Sequence, residues 1–409
     1  MKITLEKVLL FFMCAFLIVL PGFPQLGAIG LGLSLVVASI INIRNHTFSG
    51  FSRNLILLGT FYVLHLIGII YSANTNFALL DIQIKASFLL IPFCFDKKVF
   101  QQIEINFVKQ ALVVGCFGYS VYLLIAAFLN FQSNHQVSTF FYTEFSPKQH
   151  VAYLTMYIIL ACIFIIQHLQ EKQSLNNVSK FVSCALLLFF YVIIAMLSSR
   201  TAIFSGLITL SIFIFFSLKS KFDIVKSVLF SGINAVVFVF VFWFITGSQN
   251  RFEKPIPAST NTTAEQKSAE ESSTVQRNVR YTLWSTAVTI FKEHPLLGVG
   301  TGDIKDELLL KYKQQNFQEG ITYNLNAHNQ FFQTLATLGI PGIISLLLLF
   351  LVPIIHAIKK GNVTFMAFSI LIIINCLTES VFEKQAGVLF FCFFFILLQQ
   401  PKFDGMLNK

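Results

Sequence analysis

Apolar residues in this chain run in long unbroken blocks, not in the alternating or one-faced patterns of a water-soluble core. A helix needs about 20 such residues to cross the hydrocarbon of a bilayer. On that measure twelve blocks qualify, near 6–21, 25–43, 54–72, 77–95, 107–130, 150–168, 180–198, 201–218, 226–247, 338–358, 362–379 and 384–400. The connections are short, with one exception: about 90 residues, from Gly247 to Thr337, separate the ninth block from the tenth. The pattern predicts an all-α polytopic membrane protein of about 12 transmembrane helices with one large helical extracytoplasmic loop. Residues 1–247 hold nine spans, 248–337 the loop, and 338–409 three further spans and a short tail.

The loop is itself patterned. Residues 255–275 are polar and poor in apolar side chains, which predicts a flexible stretch. Residues 277–293 place Val279, Leu283, Trp284, Ala287, Ile290 and Phe291 at helical spacing. That helix stops at His294, because Pro295 disfavours helix in the residue before it. A second helix is predicted over 328–338, with Phe331, Phe332, Leu335 and Leu338 as its apolar face, Gly339 ending it and Pro341 opening the next span. An ordered cap over the membrane follows. No internal repeat of the transporter kind is visible.

Composition sharpens the class. The chain is 55% hydrophobic, 12% charged and has a mean hydropathy of +0.72, where a soluble domain carries roughly a quarter charged residues. The net charge of +10 would suggest nucleic acid in a soluble protein. Here the bases are scattered over short loops, which is how membrane topology is written, and nucleic acid is disfavoured. The segments on one side hold Lys2, Lys7, Arg44, Arg53, Lys97, Lys98, Lys109, Lys172, Lys180, Lys219, Lys221, Lys226, Lys359, Lys360, Lys402 and Lys409; the short loops on the other hold only Lys148, Arg200 and Lys384. That asymmetry predicts both termini in the cytoplasm and the long loop outside. Lys2 and Lys7 before Val8–Leu20 imitate a signal peptide, but no small-residue cleavage site follows, so an uncleaved first span is expected. The seven cysteines sit inside apolar runs without a C-x-x-C spacing and read as small core residues.

Few residues could carry chemistry. Ser198-Ser199-Arg200-Thr201 joins two apolar runs with almost no loop. Arg200 fits either a snorkelling anchor or a phosphate ligand, since guanidinium meets phosphate oxygens in a planar fork. Arg277 and Arg280 lie one turn apart on the first loop helix, and so on one face, with Trp284 four residues on. They fit a solvated basic face or, together with Arg200, a pyrophosphate site. Leu296-Leu297-Gly298-Val299-Gly300-Thr301-Gly302-Asp303 follows a helix and lacks a Gly-Lys-Ser/Thr ending, so it reads as a tight turn, not a nucleotide loop. His328 and Asn329 open the second loop helix. A helix N-terminus disfavours positive charge, which predicts a neutral imidazole at about pH 7, the state a general base needs. His150 is a second histidine of this kind. Asp81 and Lys85, four apart inside a span, are expected to neutralise one another, while Glu379, Glu383 and Lys384 cluster between the last two spans.

Read together, four features resemble the O-antigen ligase and O-antigen polymerase family, bacterial lipid-linked glycan ligases with a large periplasmic loop. They are Ser199-Arg200-Thr201, Arg280 before Leu283-Trp284, His294-Pro295-Leu296-Leu297-Gly298-Val299-Gly300, and His328-Asn329 leading to Leu338-Gly339-Ile340-Pro341-Gly342. Leu377-Thr378-Glu379-Ser380 also resembles family members, and the likeness lies in the second half of the chain. The resemblance implies a C-type glycosyltransferase-like fold in the bacterial inner membrane, with no metal and no cofactor, serving lipopolysaccharide or other surface polysaccharide biosynthesis. The donor it implies is a glycan on undecaprenyl pyrophosphate, held by Arg200 and Arg280 with Arg277 assisting. His328 would activate the acceptor hydroxyl, on a glycan or a lipid A core; His150, Asn329, Glu379, Glu383 and Lys85 are candidates for support. A polymerase joining repeat units fits the same motifs. A polysaccharide or lipid transporter or flippase fits the span count and the Asp81–Lys85 pair, but does not call for the long loop. A structural scaffold explains least.

Overall fold

Long apolar blocks fold as helices because in lipid every backbone N–H and C=O must be satisfied within its own segment. The computed structural model describes residues 4–46, 52–95, 99–100, 103–171, 176–197, 200–219, 222–252 and 264–400, without the side chains of 171, 202, 246–252 and 264–278. Among the described residues there is no strand. Eight helices are long and apolar enough to cross a membrane, and Ile203–Lys219, Val363–Cys376 and Gln385–Leu397 are shorter apolar helices. Leu5–Val19 adds another apolar helix. The chain is an all-helical, multi-pass membrane protein.

Two spans depart from straight rods. The block near 77–95 is two helices, Thr75–Lys85 and Ser87–Cys94, interrupted at Ala86. Lys85 stands in the last turn before the break, where the helix dipole favours a cation. The Gln330–Lys360 helix is broken at Gly339, whose φ of 63° and ψ of −151° are not helical.

The centre of the bundle is aromatic. Lipid tails give helices no hydrophobic reason to associate, so close packing must hold them. The Val151–Gln170 helix is 94% buried, and the last helix, Gln385–Leu397, is buried along its whole length. Phe390 packs on Tyr157 and Phe368, Phe391 on Phe88, and Phe393 on Phe16, with ring centroids 4.7–5.9 Å apart. Such offset ring pairs contribute about 0.5–1.5 kcal/mol each beyond burial. Part of the chain's 48 phenylalanines thus supplies its interhelical packing, while others, such as Phe181 and Phe244, are exposed on the apolar surface. Cys184 departs from the reading of the cysteines as core: it is exposed on the apolar surface of the Asn177–Met196 helix.

The loop differs from its sequence reading at one end. Its first helix runs Ala264–Glu293, so residues 264–275, expected to be flexible, are helical. Ala264-Glu265-Gln266-Lys267 and Ala269-Glu270-Glu271 are strong helix formers, and a polar helix needs no apolar face if it stands in water. Residues 253–263 lie outside the described chain, as do Ser198 and Ser199.

The glycine-rich turn after this helix repairs the break at Gly339. Pro341 has no N–H, so Thr337 loses its helical donor; the Gly300 N–H takes that carbonyl at 2.9 Å. The Ile340 N–H donates to Pro295 O at 3.0 Å instead of to Ala336, and the Ala336 carbonyl accepts from Val299 N–H at 3.0 Å. Three groups that the break orphans thus find partners in residues 295–300. Gly298 (φ 66°) and Gly339 (φ 63°) both sit in the left-handed region, and a Cβ on either would collide with the backbone of the other segment. The same turn grips a third segment. Thr301 Oγ1 donates to His65 O at 2.8 Å, and Asp303 accepts from the N–H groups of Ala73 and Asn74 at 2.8 and 2.7 Å. The loop is pinned to the end of the Arg53–Ile70 helix.

Candidate active site

His328 stands at the entry to the Gln330–Lys360 helix, and three buried amides build its surroundings. Asn329 caps the helix, accepting from the N–H groups of Phe331 and Phe332, while its Nδ2 donates to Leu377 O at 2.9 Å. Gln330 accepts from Phe382 N–H at 2.7 Å, and Gln333 accepts from Ala327 N–H at 3.1 Å. These bonds clamp the 377–382 connection against the helix start. His328 itself is held with φ 45°, a left-handed conformation uncommon for a side-chain-bearing residue. Its N–H donates to Asn326 Oδ1 at 3.0 Å.

The clamp brings Glu379 to His328. The imidazole Nδ1 lies 3.0 Å from Glu379 Oε2, and both side chains are partly exposed. A carboxylate at Nδ1 orients the ring and directs Nε2 away as the free position. Glu379 lies 51 residues further along the chain, so nothing in the sequence around His328 announces this contact.

His150 belongs to the same layer. Burial holds its imidazole below the ordinary histidine value, with His328 and Lys384 acting the same way and Glu379 against them. Its ring packs edge-on against Tyr153 at 5.7 Å.

The arginines come to this end by helix register. Gln170 Nε2 meets Ser217 Oγ at 3.0 Å, an offset of 47 residues, and Gly206 faces Ile159 at that same offset. The Val151–Glu171 and Arg200–Lys219 helices therefore run in the same direction, and Arg200 is level with Tyr153. In the loop, Trp284 packs on Phe332 with ring centroids 5.8 Å apart, and Pro295 bonds Ile340 further along both segments. Through this ring pair the loop helix meets the start of the Gln330–Lys360 helix, one turn after Arg280 and four residues after His328. Arg200 and Arg280 are exposed and have no hydrogen-bond or ion-pair partner among the described residues. The Arg277 side chain lies outside the described ones, although its backbone is helical.

Lys85 and Glu383 form a different group. Lys85 pairs with Asp81, and its Nζ lies 3.1 Å from Glu383 Oε1. Lys85 is 1% exposed. The pairing of Asp81 with Lys85 is as the spacing suggested, and Glu383, 298 residues from Lys85, is the third member. Sequence reasoning missed this partner, and missed Gln330 and Gln333. The signal for the glutamines was present: two amides on the apolar stripe of a helix just after His328.

Chemically, the chain offers a carboxylate-oriented imidazole and two guanidinium groups with no ion-pair partner among the described residues. Comparison with known proteins gives this layer a context. Residues 183–347 match the family model described as O-antigen ligase, which bears out the resemblance read from the motifs. Arg200, Arg277, Arg280 and His328 fall inside the matched region, whereas His150, Glu379, Glu383 and Lys85 fall outside it. Over 84 residues the chain is 33% identical to a Haemophilus influenzae protein described as "Uncharacterized protein", an alignment covering 20% of this chain and 21% of that one. The matched stretch thus spans about a fifth of that curated relative.

Proposed function

Residues 183–347 match the O-antigen ligase family, and from that premise we propose that the chain transfers a glycan from a lipid pyrophosphate to an acceptor hydroxyl. The observation that carries the reading is the 3.0 Å contact of His328 Nδ1 with Glu379 Oε2, and Arg200 and Arg280, exposed and without a partner among the described residues, support it. With Nδ1–H donated to Glu379, the Nε2 lone pair takes the proton of the acceptor hydroxyl. The oxygen attacks the anomeric carbon of the donor sugar. The carbon–oxygen bond to pyrophosphate breaks, and its electron pair leaves on the phosphate. Arg200 and Arg280, with Arg277 assisting, balance the charge of that leaving group, first holding the donor and then stabilising the departing anion. The donor is already activated, so no nucleotide is consumed.

The donor we assign is a glycan on undecaprenyl pyrophosphate, and the acceptor is a lipid A core or another lipid-linked glycan. The loop then faces the periplasm, with both termini in the cytoplasm of a bacterial inner membrane. The lysine asymmetry supports that orientation, and reporter fusions within 277–328 that report from the cytosol would overturn it.

The surface-glycan profile of a deletion strain tests the reaction. Loss of long chains from lipid A, with polymer kept on its lipid carrier, identifies a ligase; single repeat units on lipid A identify a polymerase. Complementation with Arg200→Ala is expected to leave the deletion profile unchanged while the protein accumulates in the membrane. A normal profile with that variant removes the mechanism.

A further inference from the structure

A cavity of about 500 Å3 lies beside the Thr75–Lys85 helix, walled also by the Ile304–Gln314 helix, residues 324–326 and residues 383–385. This is the size of a small-molecule site. Neither Arg200 nor Arg280 lines it, so it is separate from the positions given to the donor pyrophosphate. Its chemistry is distinctive. Gln83, Asn324, Asn326, Gln333 and Gln385 bring five amides to one space, and an amide both donates and accepts, as sugar hydroxyls require. Leu80, on the same wall, is exposed on the apolar surface that a bilayer would cover. A sugar can therefore sit among the amides while its lipid remains in the membrane.

Two residues of the cavity wall bond the backbone next to the base. Asn326 accepts the His328 N–H and Gln333 accepts the Ala327 N–H, at 3.0 and 3.1 Å, so the wall of the cavity is the backbone that presents His328. Lys384, at the opposite edge, lies in the field of His150.

We propose that this cavity is the acceptor subsite, taking the terminal saccharide of a lipid-linked acceptor and presenting its hydroxyl to His328. The inference rests on the glycosyl-transfer reading above, and the test separates the two. Cells lacking the protein accumulate both unreacted substrates, so their lipid extract, fractionated into donor and acceptor glycolipids, is the probe. The full chain in nanodiscs is assayed at saturating donor with the acceptor fraction varied. Gln83→Trp, which fills the cavity from an exposed position, is expected to raise the acceptor KM at least tenfold. Gln385→Ala, which removes one amide, is expected to raise it about fivefold. In both, kcat and the donor KM stay within twofold of the parent. An unchanged acceptor KM in both variants, or a raised donor KM, overturns the subsite while leaving glycosyl transfer standing. No product from the parent protein overturns both.

Discussion

Two sets of charged residues occupy the loop end of the bundle, and they are built on opposite plans. Asp81, Lys85 and Glu383 are closed on themselves: the ammonium is buried between two carboxylates. Arg200 and Arg280 are open, exposed and without a protein partner among the described residues. His328 stands between the plans, with Nδ1 engaged by Glu379 and its ring partly exposed. A charge buried in ion pairs has its main interactions already made in the folded chain, whereas an exposed and unpartnered one keeps them for a ligand. In a lipid-embedded protein the difference is sharp, because no water reaches the interior to satisfy what the fold leaves open.

Substitutions can break or sharpen this contrast. The largest effect is expected for His328→Ala: a loss of transfer of about 10²–10⁴-fold, the range of a general base, with normal accumulation in the membrane. Loss of protein instead of activity would move His328 to the closed set. Arg280→Ala should cost about 10²–10³-fold in kcat. Arg280→Lys should recover only part of it, because a point charge replaces a planar fork. Equal rates for the lysine variant and the parent would deny Arg280 a phosphate. Lys85→Met belongs to the other plan. It leaves two buried carboxylates uncompensated, and the expected cost is about 3–5 kcal/mol of stability, read as a lowered thermal midpoint in detergent. A midpoint that stays put while transfer vanishes would place Lys85 among the working residues.

The smallest effect is expected at His150. Its folded pKa is depressed, chiefly by burial. Above the unfolded value of about 6.5 both states are neutral and nothing is lost. Below it the unfolded chain takes a proton that the folded chain resists, so stability falls with pH. His150→Gln should flatten this acid loss, measured as the difference in thermal midpoint between pH 7.5 and 5.5. A variant as acid-sensitive as the parent would remove His150 from the account.

The parts legible in the sequence were those written over short distances. The apolar blocks declared the spans, and four-residue spacing declared the Asp81–Lys85 pair. Gly339 with Pro341 declared the helix break. What stayed hidden was set by neighbours far along the chain. Val151–Gln170 and Ile224–Ile245 are similarly apolar, yet the first is 94% buried and the second 6%; nothing local separates a central helix from a lipid-facing one. Glu383 reaches Lys85 and Glu379 reaches His328 only because buried amides fold the 377–383 connection back onto a helix start. The candidate residues were visible singly; the clamp that gathers them was not. Residues 264–275 misled in a simpler way, since polarity alone does not tell helix from coil.

The exchanged hydrogen bonds at the Gly339 break also fix an order of events during biogenesis. The carbonyls that Val299 and Gly300 need belong to Ala336 and Thr337, and the amide that Pro295 needs belongs to Ile340. While the ribosome still holds residue 340, the glycine turn has no template and the third contact, at Ala73 and Asn74, has nothing rigid to meet. The cap over the membrane closes only once the tenth apolar helix has begun to emerge. A nascent chain arrested before that point should therefore expose the 295–303 turn to protease, and one released after it should shield the same bonds.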